Sequence, residues 1–192
     1  MRRRREAREP TPAGPWGSRP WHQLTIIGGL AHHAMELAAG VGLVFQPQLG
    51  LKGAAALWLA VFPAALIGAR RGSGRWSGPL ACTAGASLAA TLIHYTLWPW
   101  RIRGGVPWLE DAEGLSDRLL PWYNALLVLW FAAAAGAVAA EVPREQRAWA
   151  VAGFLSALPF RRSARHHFIW IHEQSKRRPS WWNRGVRSRN DR

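Results

Sequence analysis

The chain alternates long apolar blocks with short polar stretches, a pattern typical of helical membrane proteins. A transmembrane helix needs about 20 predominantly apolar residues. Four blocks approach that length, at about residues 24–45, 52–69, 79–98 and 119–140. The pattern therefore predicts an all-α integral membrane protein with a four-span transmembrane helix bundle.

The connections and the composition of the blocks refine this prediction. The third block is rich in small residues, which let helices approach closely in lipid, so we expect it to be the best-packed helix. In the second block, Pro63 is expected to allow a kink. Residues 100–118 hold the chain's acidic cluster, which we interpret as a solvated loop; binding of a cation or a basic partner is the alternative.

The chain ends carry different patterns. Residues 1–20 combine an arginine run with four prolines and predict a disordered basic arm ahead of a membrane domain at 21–141. Residues 148–160 are apolar but too short to span, so we expect an interfacial or partly re-entrant helix within a segment at 142–175. Residues 176–192 are expected to form a basic, disordered tail. Beyond Pro159, apolar residues recur at helical spacing with arginines between them, which predicts an amphipathic helix lying on anionic lipid headgroups. The apolar positions are Phe160, Ala164, Phe168 and Ile171, and the lipid-surface candidates are Arg161, Arg162, Arg165 and Phe168.

The net charge of +14 comes almost entirely from arginine and suggests an anionic partner. Residues 1–23, 70–75 and 141–192 hold 21 of the 25 basic residues, and the opposite loops hold four. By the positive-inside rule, this asymmetry predicts a multi-pass protein of the cell membrane with both termini in the cytoplasm. The tail interleaves basic and aromatic residues as single-strand binders do, but it lacks a folded nucleic-acid module, so lipid is the favoured anion.

Candidate chemistry lies in the first block, where His32, His33 and Glu36 interrupt an apolar run. A carboxylate near the bilayer centre costs about 2.5 kcal/mol or more, so such groups usually face a bundle interior or a wet cavity. Both histidines lie three or four residues before Glu36, and a helix brings side chains at that spacing together. An imidazole oriented by a carboxylate is a common metal ligand or general base.

Helix rise allows depths in the bundle to be compared at about 1.5 Å per residue. Glu36 then lies at about 18 Å from the cytoplasmic end, His94 at about 22 Å and Asn124 at about 24 Å. These residues are predicted to share one polar layer, with Tyr95 and Tyr123 beside it. Glu36, His33 and His94 are the candidate catalytic residues, His32, His33 and His94 the candidate metal ligands, and Asn124, Tyr123 and Tyr95 the candidate substrate-binding residues.

Several interpretations of this layer stay open. It fits a transition metal, a haem held by two histidines, or proton transfer on a lipid-soluble substrate, and it also fits hydrogen bonds that hold the bundle together. Trp58 and Trp130 lie within spans, where packing or lipid contact is favoured over a flat ligand or a partner helix. Cys82 is the single cysteine, which excludes an internal disulfide and a cysteine cluster.

Two functions follow from these observations. The first is a small polytopic membrane protein that binds or acts on a hydrophobic substrate, or holds a metal or haem, at an intramembrane His/Glu/Asn site. The alternative is a non-catalytic accessory subunit that packs against partner subunits in a larger membrane complex.

Overall fold

A computed structural model describes residues 19–72, 74–112, 114–183 and 186, with backbone alone at 163–166 and 168. Within these ranges the chain is mostly helical, with six α-helices and one short β-hairpin. The helices are α1 (Pro20–Ala38), α2 (Gln46–Arg71), α3 (Ser77–Leu97), α4 (Leu120–Gly136), α5 (Arg147–Ala157) and α6 (Phe160–Arg177), and the strands are β1 (Trp100–Arg103) and β2 (Val106–Leu109). A turn of π-helix, Ala137–Glu141, extends α4.

Three helical stretches are long and apolar enough to cross a membrane: Gln46–Arg71, Gly74–Leu97 and Leu120–Glu141. They correspond to the second, third and fourth predicted spans. The third-block helix is half buried over its apolar window, against 6% for α2 and 39% for α4, so among these three it is the best packed, as its small residues predicted. The exposed faces of α2 are apolar, as lipid contact requires. In α2 the non-helical backbone lies at Gly50 and not at Pro63.

The first block differs from the prediction. Helix α1 begins at Pro20, where proline suits the first helical turn, and ends at Ala38, so residues 39–45 are not part of it. The chain leaves the helix because Gly40 and Gly42 adopt φ values of +85° and +88°, which favour glycine. At 19 residues helix α1 is long enough to cross a membrane, but its polar side chains, among them His22, Gln23 and Glu36, keep it from being among the three candidate spans, and a fourth span over 24–45 is not shown.

Helix α1 packs antiparallel to α4 through close contacts between tryptophans and glycines. The Trp21 ring lies against Gly136 near one end, and the Trp130 ring lies against Gly28 farther along. A β-carbon at either glycine would come within 2.6–2.8 Å of ring atoms. The absence of a side chain thus sets the distance between these helices and brings the middle of α1 against α4.

Helix α5 packs along α3, also through glycines. A β-carbon on Gly85 would overlap the carbonyl of Ala150, and one on Gly153 would overlap the carbonyl of Cys82. The two backbones are therefore in direct contact, as small residues permit. Helix α5 is therefore packed on the bundle along one apolar face, with the other face exposed, and an interfacial or partly re-entrant position of residues 148–160 stays a prediction.

Charged groups organise the end of the bundle where α1 and α3 begin. The Glu141 carboxylate accepts hydrogen bonds from the backbone N–H groups of Trp21 and His22, at 2.8 and 2.9 Å, and pairs with His22 Nδ1 at 2.7 Å. A carboxylate is stabilising at a helix N-terminus, where N–H groups otherwise lack partners. Arg19 Nη2 donates to Ser77 Oγ at 2.7 Å and links the starts of the two helices.

Helix α6 lies at the opposite end, where α1 and α3 finish. His167 Nε2 donates to the carbonyl of Val41 at 2.7 Å, and Arg161 reaches the carbonyl of Thr96 at 3.4 Å. Arg19 and α6 are thus at opposite ends of the bundle, and the cytoplasmic placement of both chain termini stays a prediction. Arg161 and Arg162 are exposed, whereas the side chains of Arg165 and Phe168 lie outside the described residues.

The basic tail is ordered in its described part. Helix α6 continues to Arg177, and Asn183 is 1% exposed because the turn that contains it packs against Gly40. The expectation of disorder over 176–192 is therefore wrong for residues 176–183. Of the predicted disordered arm at 1–20, residues 1–18 lie outside the described residues, and so do residues 184, 185 and 187–192 of the tail.

The connection at 100–118 is not a simple loop, so the fold is not entirely α. Strands β1 and β2 pair antiparallel, with Arg101 opposite Trp108. Arg101 Nε lies 2.8 Å from Glu110 Oε1 in a solvent-exposed ion pair. Asn124 of α4 is hydrogen-bonded to the hairpin: its Oδ1 accepts from the backbone N–H of Leu109 at 2.6 Å, and its Nδ2 donates to the Leu109 carbonyl at 3.0 Å. The oxygen and the nitrogen of this side-chain amide therefore both bind the backbone of strand β2.

Candidate metal centre and adjoining cavity

Four polar side chains from three helices meet in the bundle interior. Helix α1 contributes His32 and Glu36 one turn apart, and α3 contributes His94. His32 Nε2 lies 3.3 Å from Glu36 Oε1, and His94 Nε2 lies 4.0 Å from the same oxygen. Tyr123 of α4 donates its hydroxyl to that oxygen at 2.9 Å. The side chains of Glu36 and His94 are 8% and 12% exposed, so the group is shielded from solvent.

Backbone carbonyls select the tautomer of two histidines. His94 Nδ1 lies 2.8 Å from the carbonyl of Ala90, and His33 Nδ1 lies 2.8 Å from the carbonyl of Gly29. A carbonyl only accepts, so each Nδ1 carries the proton in these bonds and each Nε2 of a neutral ring keeps a lone pair. In the neutral ring, the Nε2 lone pair of His94 faces the Glu36 carboxylate. Both atoms are hydrogen-bond acceptors, so a cation or a proton between them would be stabilising.

The donor set suits a divalent transition metal. The nearest ligand atoms of His32, Glu36 and His94 all lie within 4.8 Å of one another. Tetrahedral ligands at about 2.0–2.1 Å from zinc are about 3.3–3.4 Å apart. His32 and Glu36 already have this spacing, whereas His94 must move about 0.6 Å closer to Glu36 and must also approach His32, since the three ligand atoms are within 4.8 Å of one another. Two histidines and one carboxylate with an open position also describe non-haem iron sites.

The orientation of the ligands supports this fit. The Nδ1–H bond of His94 to a carbonyl, and the Tyr123 hydroxyl on Glu36, are the outer hydrogen bonds that orient metal ligands. His32 Nδ1 has no hydrogen-bond partner in the described part of the chain.

A haem between His32 and His94 does not fit, because the Glu36 oxygen occupies the space that both Nε2 atoms face.

An apolar cavity of about 350 Å³ adjoins this group. It is bounded by α1, α2 and α3, and Ala157, Phe160 and His167 of α5 and α6 also line it. His32, His33, Glu36 and His94 are among its polar lining residues. The volume is within the range of about 300–1,000 Å³ that is usual for small-molecule sites. The cavity therefore joins an apolar chamber to a cluster of nitrogen and oxygen donors.

One wall of the cavity is aromatic. The rings of Phe45 and Trp58 are stacked with centroids 6.2 Å apart, and those of Trp58 and Phe62 are stacked with centroids 5.3 Å apart. The His33 ring lies against this wall, 4.5 Å from Trp58 and 5.5 Å from Phe62. Trp130 also lines the cavity, 5.0 Å from the His32 ring. The aromatic wall (Phe45, Trp58 and Phe62) thus presents ring faces beside a histidine.

The structure brings some of the predicted site residues together and places others elsewhere. Glu36 and the three histidines His32, His33 and His94 converge on the cavity. Tyr123 contacts Glu36 but is not part of the cavity lining, and Tyr95 lies near Trp100, with ring centroids 6.1 Å apart. Asn124 faces the hairpin instead of the layer to which its depth assigned it.

Sequence reasoning did not find His167, which lines the cavity from α6. Its spacing carried a signal: His167 lies seven residues after Phe160 and four before Ile171, so all three share one helix face. Ile171 is fully buried, and His167 is 6% exposed. At His167 and Ile171 this helix face is directed toward the bundle, whereas Phe160 is 36% exposed.

The chain is therefore a mostly helical protein with three helices that can cross a membrane and a buried His32/Glu36/His94 group that can hold a metal. Comparisons of the chain with protein families, with curated proteins and with solved structures find no match.

Proposed function

We propose that this chain is a membrane protein that binds one divalent transition-metal ion through His32, Glu36 and His94 and receives an apolar ligand in the adjoining cavity. The observation that carries the proposal is the convergence of His32, Glu36 and His94 in the bundle interior, where their nearest ligand atoms all lie within 4.8 Å of one another. With His94 Nδ1–H donating to the Ala90 carbonyl, a metal ion between His94 Nε2 and the Glu36 carboxylate would satisfy both acceptors. It also uses His32, whose Nε2 lies at ligand spacing from Glu36.

The cavity supports a role in chemistry on a hydrophobic molecule. Three protein ligands leave an open position, as catalytic sites do and closed structural sites do not. An ion held in this way would supply a Lewis acid or an activated water molecule at that position. Tyr123 and the Ala90 carbonyl would orient the ligands Glu36 and His94, and the apolar walls would favour an apolar substrate.

The surroundings of the bundle fit a membrane. Helix α2 exposes large apolar side chains, among them Leu59 at 70% and Ile67 at 46%, and lipid is the covering that we assign to them. The exposed arginines Arg161 and Arg162 at the start of α6 are placed to meet anionic headgroups, each adding about 1 kcal/mol near such a surface. An apolar ligand would then reach the cavity from the bilayer.

Metal content of the purified full-length chain tests the proposal. The protein is extracted in mild detergent, stripped with a chelator, and titrated with Zn²⁺ or Co²⁺, with bound metal measured by mass spectrometry and Co²⁺ coordination by visible absorption. We expect one ion per chain with the spectrum of a low-coordinate site. Loss of stoichiometric binding is expected in Glu36→Gln and in His94→Ala.

Glu141→Gln is the matched control, because Glu141 is an equally shielded carboxylate that pairs with one histidine, His22, and has no second histidine beside it among the described residues. This variant should retain one ion. Circular dichroism and gel filtration verify that each variant is folded. A folded wild-type chain that binds no ion, or a folded Glu36→Gln variant that binds as well as Glu141→Gln, would contradict the proposal.

A further inference from the structure

The cavity contains a second polar feature that the metal group does not use, the Nε2 atom of His33. Its ring is held by the Nδ1–H bond to the Gly29 carbonyl at 2.8 Å, and the residue is 8% exposed. Nε2 is buried and has no hydrogen-bond partner among the described residues. Leaving a buried acceptor unsatisfied costs about 1–3 kcal/mol. His33 lines the cavity, but less than 1 Å² of Nε2 itself is exposed, so the hydroxyl of a ligand would reach this atom after a small rotation of the ring or a shift of its neighbours.

The surroundings of His33 indicate the shape of that ligand. The aromatic wall and the His33 ring present faces and edges within 4.5–6.2 Å of one another. Aromatic rings prefer offset-stacked or edge-to-face partners at centroid distances of about 4.5–7 Å. Small side chains, Ala86 and Ala90 of α3, also line the cavity and leave room for a ring. The chamber therefore favours a flat ring over a simple alkyl chain.

The charges of the cavity restrict the ligand further. Among the described side chains that line it there is neither lysine nor arginine, and their one carboxylate is Glu36. An ionised fatty acid has no hydrogen-bond donor for His33 Nε2 and would be drawn instead to a metal ion held by Glu36. A quinone or a simple ether offers no donor to His33. A neutral ring that carries a hydroxyl group satisfies all of these conditions.

We propose that the cavity binds a neutral hydroxylated aromatic ring with an apolar substituent, a phenol or a quinol, and that the ligand hydroxyl donates to His33 Nε2. This inference rests on the proposed function in taking the cavity as the ligand site, and it adds the ligand class and the recognising residue. The His32 and His33 ring centroids are 5.5 Å apart, so a ring held at His33 lies beside the metal group. His33 is in this role a specificity residue and not a metal ligand.

A matched pair of probes tests the hydroxyl. Binding of 4-butylphenol and of its methyl ether, 4-butylanisole, is measured by titration calorimetry with the full chain in detergent, with empty micelles as the background. The two probes share the ring and the chain and differ in the O–H donor. A net hydrogen bond of about 0.5–1.5 kcal/mol corresponds to a preference for the phenol of about 2- to 12-fold.

His33→Phe isolates the recognising atom, because it keeps a ring against the aromatic wall and removes Nε2. The variant should bind the ether as the wild type does and lose the preference for the phenol. Equal binding of phenol and ether by the wild type would overturn the proposal. So would a full preference in a folded His33→Phe variant, with folding verified by thermal unfolding.

The same titrations in chelator-stripped wild type and in Glu36→Gln separate this inference from the proposed function. A preference that persists without metal and disappears in His33→Phe supports recognition by His33 even where metal binding fails. A preference that is lost on metal removal but retained in His33→Phe assigns the hydroxyl to the metal, which supports the proposed function and overturns this inference.

Discussion

Replacing Gly153 with alanine should separate α5 from α3. The added β-carbon would overlap the Cys82 carbonyl oxygen and lie 2.7 and 2.8 Å from the Cys82 C and Cα atoms. Ordinary carbon contacts are about 3.5–4.0 Å, so the two helices must move apart by roughly 1 Å. The obstacle is backbone on both sides, and no rotamer change relieves it.

The magnitude follows from two opposing effects. Overpacking a close contact costs about 1–3 kcal/mol, and this site belongs at the upper end because backbone cannot yield locally. Alanine in place of glycine stabilises a helix interior by about 0.8–1.0 kcal/mol, which offsets part of this cost. The net destabilisation is then about 2 kcal/mol. For a chain of this size, that lowers the melting temperature by about 4–8 °C.

Thermal unfolding in mild detergent, followed by circular dichroism, measures this change. Gly78→Ala is the matched control, because it lies on α3 in contact with the side chains of Gln146 and Trp149 at 3.3 and 3.4 Å, which are free to shift. That variant should melt at or above the wild-type temperature. If Gly153→Ala melts as high as Gly78→Ala, the direct backbone contact between α3 and α5 is refuted.

Three further changes probe the site and its supports. Tyr123→Phe removes the hydroxyl that orients Glu36 and should weaken Zn²⁺ binding about 10- to 100-fold in a competition titration, with unchanged affinity as the contrary result. Asn124→Ala leaves the Leu109 backbone groups without their partner and should lower the free energy of unfolding by about 1–3 kcal/mol, measured by denaturant titration; a neutral effect would contradict the clamp. Glu141→Gln removes the charge at the start of α1 and should cost about 0.3–2 kcal/mol by the same titration while leaving metal binding intact.

Much of the architecture follows from local pattern. Apolar blocks of spanning length predicted the helices α2, α3 and α4, because an apolar run as long as a bilayer is thick is typical of a transmembrane helix. The i, i+4 spacing of His32 and Glu36 placed them on one face of a helix, and the structure brings them to 3.3 Å. Helix rise alone predicted that Glu36 and His94 lie at similar depths.

Comparing the depths of residues along the helix axes could not predict how each helix is rotated about its own axis. Tyr123 and Asn124 are adjacent in the chain, but about 100° separates consecutive side chains around an α-helix. Tyr123 faces Glu36, whereas Asn124 faces the hairpin. A depth calculation cannot distinguish the two, because it uses the rise along the axis and ignores the angle around it.

The sequence by itself determined the helical class, the three long apolar helices and the grouping of histidines with a carboxylate, since each depends on residues that are near one another in the chain. Only the tertiary structure decided where α1 stops, that α5 packs against α3, and that α6 lies opposite the start of α1. These features, and the cavity they enclose, arise from contacts between distant residues such as Gly153 with Cys82 and His167 with Val41. Contacts of this kind depend on shape complementarity between surfaces, which no local periodicity encodes.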